Sequence, residues 1–119
     1  MAEQPSRRSR PGAQADSLGR QITIQRTTLS GFRHHDGPQL WSALRTKELL
    51  TLEREPDNPY DPNAVLLRWR GRKLGYLPRG ENLVAARLLD RNRNLRARIS
   101  ALRPDTDRNA RIRLDVMMH

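Results

Sequence analysis

A mainly β fold, a small six-stranded barrel with one or two short helices, is predicted by three features of the sequence. Short runs of alternating apolar and polar residues recur from residue 21 onward. Clusters of Gly, Pro, Asn and Asp separate those runs, and a single stretch over residues 80–92 changes to helical spacing. Alternation with period two places one face of a strand inward and the other in solvent, whereas the helical stripe needs spacings of three and four.

The elements follow in chain order. Ile22 and Ile24 alternate with Thr23 and Gln25 in a first strand that is expected to run on toward Phe32. "KELLTLERE" puts Leu50 and Leu52 on one face of a second strand. In "AVLLRWR", Val65, Leu67 and Trp69 share a face, with Arg68 and Arg70 on the other. Gly71-Arg72 fits a two-residue hairpin turn with glycine at the positive-φ position, and "KLGYLP" returns as a fourth strand. Over residues 80–92 the stripe Val84, Ala85, Leu88, Leu89 lies opposite Asn82, Arg87 and Arg91, and predicts a helix with ordinary core packing. Leu95, Ala97, Ile99 and Ala101 form a fifth strand and Ile112, Leu114 and Val116 a sixth. If these two pair, Arg96, Arg98, Arg111 and Arg113 lie on one outward face. The polar loop "PDTDRN" joins them. Trp41, in an irregular 37–45 segment, is read as a plug over the barrel end, with an exposed stacking surface as the alternative. Six such strands and one helix have the size of an OB-like barrel.

At 119 residues the chain has core enough for one small domain. Residues 1–20 carry Ser, Pro, Gly and Arg with few apolar side chains, and predict a disordered basic tail; residues 21–119 are the expected domain. The tail holds Arg7, Arg8, Arg10 and Arg20 against Glu3 and Asp16, so +8 of the total +10 belongs to the body. An excess of that size points to a polyanionic partner, nucleic acid above all, although a solvated basic surface has the same composition. There is no apolar run near the roughly 20 residues of a membrane span and no secretory h-region, so a cytoplasmic protein with no membrane contact is expected. The absence of cysteine excludes disulfides and thiolate zinc sites.

The stretch "REPDNPYDPNAV", Arg54 to Val65, is acidic and aromatic within a basic chain. Pro56, Pro59 and Pro62 fix φ and remove donors, so the segment cannot be a central strand. Asp57, Asn58, Asp61 and Asn63 can bond nearby amides in Asx-turns. Rigidity explains these residues but not Tyr60, which no turn requires. Four carboxylates, Glu53, Glu55, Asp57 and Asp61, could in principle hold Mg²⁺, yet Asx-turns explain them more simply. Two adjacent histidines, His34 and His35, would point to opposite faces of a strand and so do not chelate together. No P-loop motif is present. The expectation is a non-enzymatic protein without cofactor or metal.

"LTLEREPDNPYDPNAVLL" followed by "KLGYLPR" resembles the HIRAN domain family, and "GFRHH" at 31–35 is similar to a family segment upstream. The resemblance covers about residues 21–117. It implies an OB-like barrel that captures the 3′ end of single-stranded DNA in DNA repair or replication-fork processing. On that resemblance Asp61 would accept a hydrogen bond from the terminal 3′ hydroxyl and Tyr60 would stack on the end. Arg33 would contact phosphate, His34 would take a neighbouring aromatic position, and Tyr76 would line the pocket. A helicase or other repair protein is the implied protein partner, and the module is expected to be a monomer. Two departures from the family pattern stand out: a histidine at 34 where tyrosine is common, and no aromatic residue in "NARIRLDVMMH". The same residues also suit a general RNA or DNA binder, or a protein-interaction adaptor with a vestigial pocket. For Asp61 the structural alternative is an Asx cap, and for Tyr76 a place in the core.

Overall fold

The computed structural model describes residues 21–104 and 111–119. The expected N-terminal tail, and most of the polar connection before the last strand, lie outside the described residues. Six strands form one antiparallel sheet: β1 (Ile22–Thr28), β2 (Leu49–Arg54), β3 (Val65–Trp69), β4 (Arg72–Tyr76), β5 (Leu95–Leu102) and β6 (Ile112–Met118). Their order across the sheet is β1-β6-β5-β2-β3-β4. Helix α1 (Gly37–Leu40) follows β1, and α2 (Leu83–Asp90) links β4 to β5. The fold is thus mainly β with two short helices, as the alternation predicts.

The sheet curls until its edges meet. Beyond the end of β1, Ser30 N–H donates to the Tyr76 carbonyl and Tyr76 N–H to the Ser30 carbonyl, each at 2.8 Å. This isolated antiparallel bridge joins the two sides where a closed barrel would carry a full ladder. Gly75 makes the approach possible: a Cβ built there would lie 2.3 Å from the Ser30 carbonyl oxygen, far inside van der Waals contact.

The inward residues are those that period two selects. Val65, Leu67 and Trp69, then Leu95, Ala97 and Ile99, then Ile112, Leu114 and Val116 all belong to one buried core with Leu29, Phe32, Leu50 and Leu74. Trp41 packs against this core, edge-on to Phe32 with centroids 5.8 Å apart. No helix among the described residues is long and apolar enough to cross a membrane.

Four sequence expectations are corrected. The β3–β4 turn is Arg70-Gly71, not Gly71-Arg72: Trp69 pairs with Arg72, and Arg70 and Gly71 both have positive φ, 49° and 82°. A turn with both central residues left-handed matches the sheet's right-handed twist. The cost of the left-handed arginine is offset locally, because Arg70 stacks 4.7 Å over the Trp69 ring and Arg68 donates to the Gly71 carbonyl at 3.0 Å. Second, β1 stops at Thr28, and Phe32–His34 is a turn of 3₁₀ helix entered through Gly31 at φ 74°. Third, α2 presents a rotated face: Ala85 and Ala86 are buried, Val84 is 60% exposed, and Asn82 is only 3% exposed. Fourth, Arg111 does not join an outward arginine row; it precedes β6 and lies over Trp41 at 4.1 Å. Arg96 and Arg113 do face solvent.

Replacing Gly75 by Ala should push Ser30 away and break the bridge between the edges. The expected loss is about 1–3 kcal/mol, read as a lowered urea midpoint with little change in m-value.

Candidate nucleic-acid interface

The proline-rich segment 55–64 leaves β2 and returns to β3, and Glu55, Asn58 and Asp61 hold it through their side chains. Glu55 N–H donates to the Ala64 carbonyl at 3.1 Å and closes its base. The Asn58 side-chain oxygen accepts from the backbone N–H groups of Tyr60 and Asp61, at 2.9 and 3.2 Å. One Asp61 carboxylate oxygen accepts from Asn63 N–H at 2.9 Å. These are the Asx-turns that the sequence predicts, and they hold the loop without any help from a ligand. Tyr60 is left with its ring projecting, 79% exposed.

The second Asp61 oxygen accepts from the Asn82 side-chain amide at 2.8 Å. That contact explains the rotated face of α2: a buried amide needs a polar partner, and the loop supplies one. Burial works to raise the Asp61 pKa, but the Asn63 and Asn82 donors, with Arg79 and Arg54 nearby, outweigh it and bring the carboxyl below its ordinary value. Asp61 is therefore ionised at neutral pH and is an acceptor only.

Tyr76, on β4, faces the loop. Its hydroxyl donates to Glu55 at 2.7 Å, and Asn58 donates to the same Glu55 oxygen at 3.1 Å. Burial and the Glu55 carboxylate push the Tyr76 pKa up to about 12, so the phenol keeps its proton and its bond. Glu55 goes the other way: burial opposes ionisation, but the donors Tyr76 and Asn58, with Lys73 and Arg68, lower its pKa. Glu55 thus ties the strand to the loop through two donors.

Between these groups lies a pocket of about 220 Å³, lined by Tyr60, Asp61, Tyr76 and Arg79 together with Ser30 and Asn58. Arg79 is exposed at its edge. The pocket combines an ionised acceptor, an exposed aromatic ring and a cation, which suits a hydroxylated, ring-bearing, anionic ligand. No group of three or more His, Asp or Glu side chains able to hold a metal gathers among the described residues.

Of the five site residues that the sequence suggests, Tyr60, Asp61 and Tyr76 come together here. Arg33 and His34 do not; they line a neighbouring cavity with Phe32, Pro38 and Arg111. The histidine beside the pocket is His35, whose ring is 5.5 Å from that of Tyr76. The 3₁₀ turn is responsible, since it sends consecutive side chains around an axis. Asn82, Glu55, Arg79 and His35 were not singled out as site residues by sequence reasoning. Glu55 and His35 were weighed only as metal ligands, and Arg79 stood only as the basic residue that ends "KLGYLPR".

The HIRAN-domain family model matches residues 22–119. The chain belongs to the HIRAN family. Membership is consistent with a DNA-binding module. Among solved structures, a protein from Lactobacillus plantarum is 26% identical, with a TM-score of 0.73 over 83% of this chain and 95% of the other. The HIRAN domain of human HLTF is 22% identical, with a TM-score of 0.64 over 84% of this chain and 79% of that one, and is similar in fold. A search of curated proteins finds no significant match.

Two measurements check this network. Asn82→Ala should cost about 1–2 kcal/mol through the lost bond to a carboxylate and should raise the Asp61 pKa, seen in an NMR titration of its carboxyl carbon. His35 has a pKa lowered by burial, Lys73 and His34, against the opposing pull of Glu55 and Asp36. The unfolded chain takes up that proton near pH 6.5 while the folded chain resists, so stability falls as pH drops through that value. Urea midpoints at pH 7.5 and 5.5 should differ less in His35→Gln than in the wild type.

Proposed function

We propose that this HIRAN domain is a non-enzymatic module that binds single-stranded DNA, preferring a free 3′ hydroxyl end. The observation that carries the reading is the fixed, ionised Asp61 beside the exposed Tyr60 ring. Each Asp61 oxygen has one donor already and a further lone pair to offer, so the carboxylate can accept from a hydroxyl without rearranging. A terminal phosphate brought to the same place would meet a like charge, at an energy of about 4 kcal/mol for unit charges 4 Å apart near a protein surface. The aromatic ring would stack on the last base whatever its identity, and Arg79 is placed to meet phosphate. Arg33 and His34 would act from the adjoining cavity, and Tyr76 would form the wall. Such a module would bring itself, or a helicase or other repair protein, to processed ends in the cytoplasm or nucleoid, acting as a monomer.

Fluorescence anisotropy with one short strand ending in 3′ hydroxyl or 3′ phosphate tests this directly. The phosphate end should bind roughly tenfold or more weakly. Asp61→Asn, which keeps an acceptor for Asn63 N–H, should narrow the difference. Tyr60→Ala should weaken both ends by about 1–3 kcal/mol. Equal binding of the two ends that collapses with salt would mean a basic surface only.

A further inference from the structure

The second cavity, about 350 Å³, opens between the 3₁₀ turn after β1 and the residue that precedes β6. Arg111 is its unusual member. Its guanidinium carbon is 4.1 Å from the Trp41 ring centroid and 5.7 Å from that of Phe32, so two aromatic rings support the cation. Its Nε is buried and has no hydrogen-bond acceptor among the described residues. A buried charged donor without an acceptor is unfavourable and is seldom kept without a use. Among the described residues none that lines the cavity is acidic, and Asp36, close in sequence, is already paired with Arg72 at 3.0 Å. Arg33 and His34 are exposed at the same cavity.

A guanidinium held over an indole has lost freedom in advance, and its planar fork of N–H groups matches phosphate oxygens. We propose that Arg111 is a further, preorganised donor to an internucleotide phosphate seated in this cavity, beside the Arg33 that the family resemblance already assigns to phosphate. Residues 30–35 connect it to the end pocket, because Ser30 lines the first cavity and Arg33 and His34 line the second. The proposal rests on the reading above only in naming a single strand of DNA as the source of the phosphate.

The test uses wild-type protein and strands carrying one neutral methylphosphonate linkage at successive positions from the 3′ end. One position should lower affinity roughly tenfold. Arg111→Met, which keeps apolar packing on Trp41, should bind the fully charged strand roughly tenfold more weakly and reduce the salt slope by about 0.7. It should also be indifferent to the neutral linkage at the sensitive position. Its loss should be equal for hydroxyl and phosphate ends, whereas Asp61→Asn changes their ratio. The linkage scan needs no variant, so a misfolded Arg111→Met leaves it decisive. If no linkage position matters, or Arg111→Met binds like wild type, the seat is wrong even where the end preference holds. If the end preference is absent but the linkage effect remains and depends on Arg111, the seat stands and the end reading falls. If inorganic phosphate alone shifts the Arg111 Hε resonance to saturation and DNA adds nothing, the cavity takes a free anion and the strand assignment is overturned.

Discussion

At Ser30 and Tyr76 the two edges of the sheet approach closely enough to exchange a pair of backbone hydrogen bonds, and the candidate site is arranged around that contact. It fixes where Ser30 meets Tyr76, and the Asp36 N–H bond to the Lys73 carbonyl and the Arg72–Asp36 ion pair, both at 3.0 Å, hold the rest of the chain after β1 against β4. The bridge in turn requires a residue without a side chain at Gly75. From it run both halves of the interface: the 3₁₀ turn with Arg33, His34 and His35 on one side, and Tyr76 with the loop behind it on the other. A geometric constraint at one backbone position therefore fixes groups that are more than forty positions apart along the chain.

The polar network then converts that geometry into charge. Glu55 and Asp61 stay ionised despite partial burial because each is given two donors, and the donors come from different elements: β4, the loop itself and α2. An unpaired carboxylate in the same place would be pushed toward its neutral form. The network also explains why the acidic stretch sits in a basic protein without being cancelled by it. Arg54, the nearest cation in sequence, spends its donors on Asp90 at 2.9 Å and on the Ala64 carbonyl at the base of the loop at 3.0 Å. It acts on Asp61 only through space, and there it helps keep the carboxylate ionised.

The strands were legible because period two marks the core face of β3, β5 and β6, although Leu66 and Met117 are buried out of that phase. What could not be read depends on partners that only the fold supplies. Arg70 at positive φ is unexpected until it is seen stacked on Trp69. Asn82 belongs on a solvent face by polarity, and becomes a core-facing residue only because Asp61 waits across from it. His34 and His35 differ by one position, yet a turn of 3₁₀ helix sends them to different cavities. The Tyr60, Asp61 and Tyr76 cluster was legible because the motif is long and because a rigid turn gives no reason for an exposed tyrosine. Arg111 was misplaced since its alternation with Ile112 suggested a strand face, whereas the strand begins one residue later.

In the proposed reading the two cavities divide the recognition of a strand end between them. A strand end is chemically a hydroxyl attached to a chain of phosphates, so a binder must attract anions and reject one at the terminus. Asp61 shares its pocket with Arg79, yet its two oxygens accept from amide donors. Here Asp61 is satisfied by neutral donors, two amide N–H groups, which leave its negative charge in place. Arg111 is held by aromatic faces, which leave its positive charge in place. In the proposed reading, each charge is immobilised by groups that do not neutralise it. Electrostatic attraction to the phosphates is screened as salt rises, whereas the hydroxyl bond to Asp61 is a short-range contact in a partly buried pocket and is screened less. Overall affinity and end preference are then separable quantities, set by different cavities and different residues.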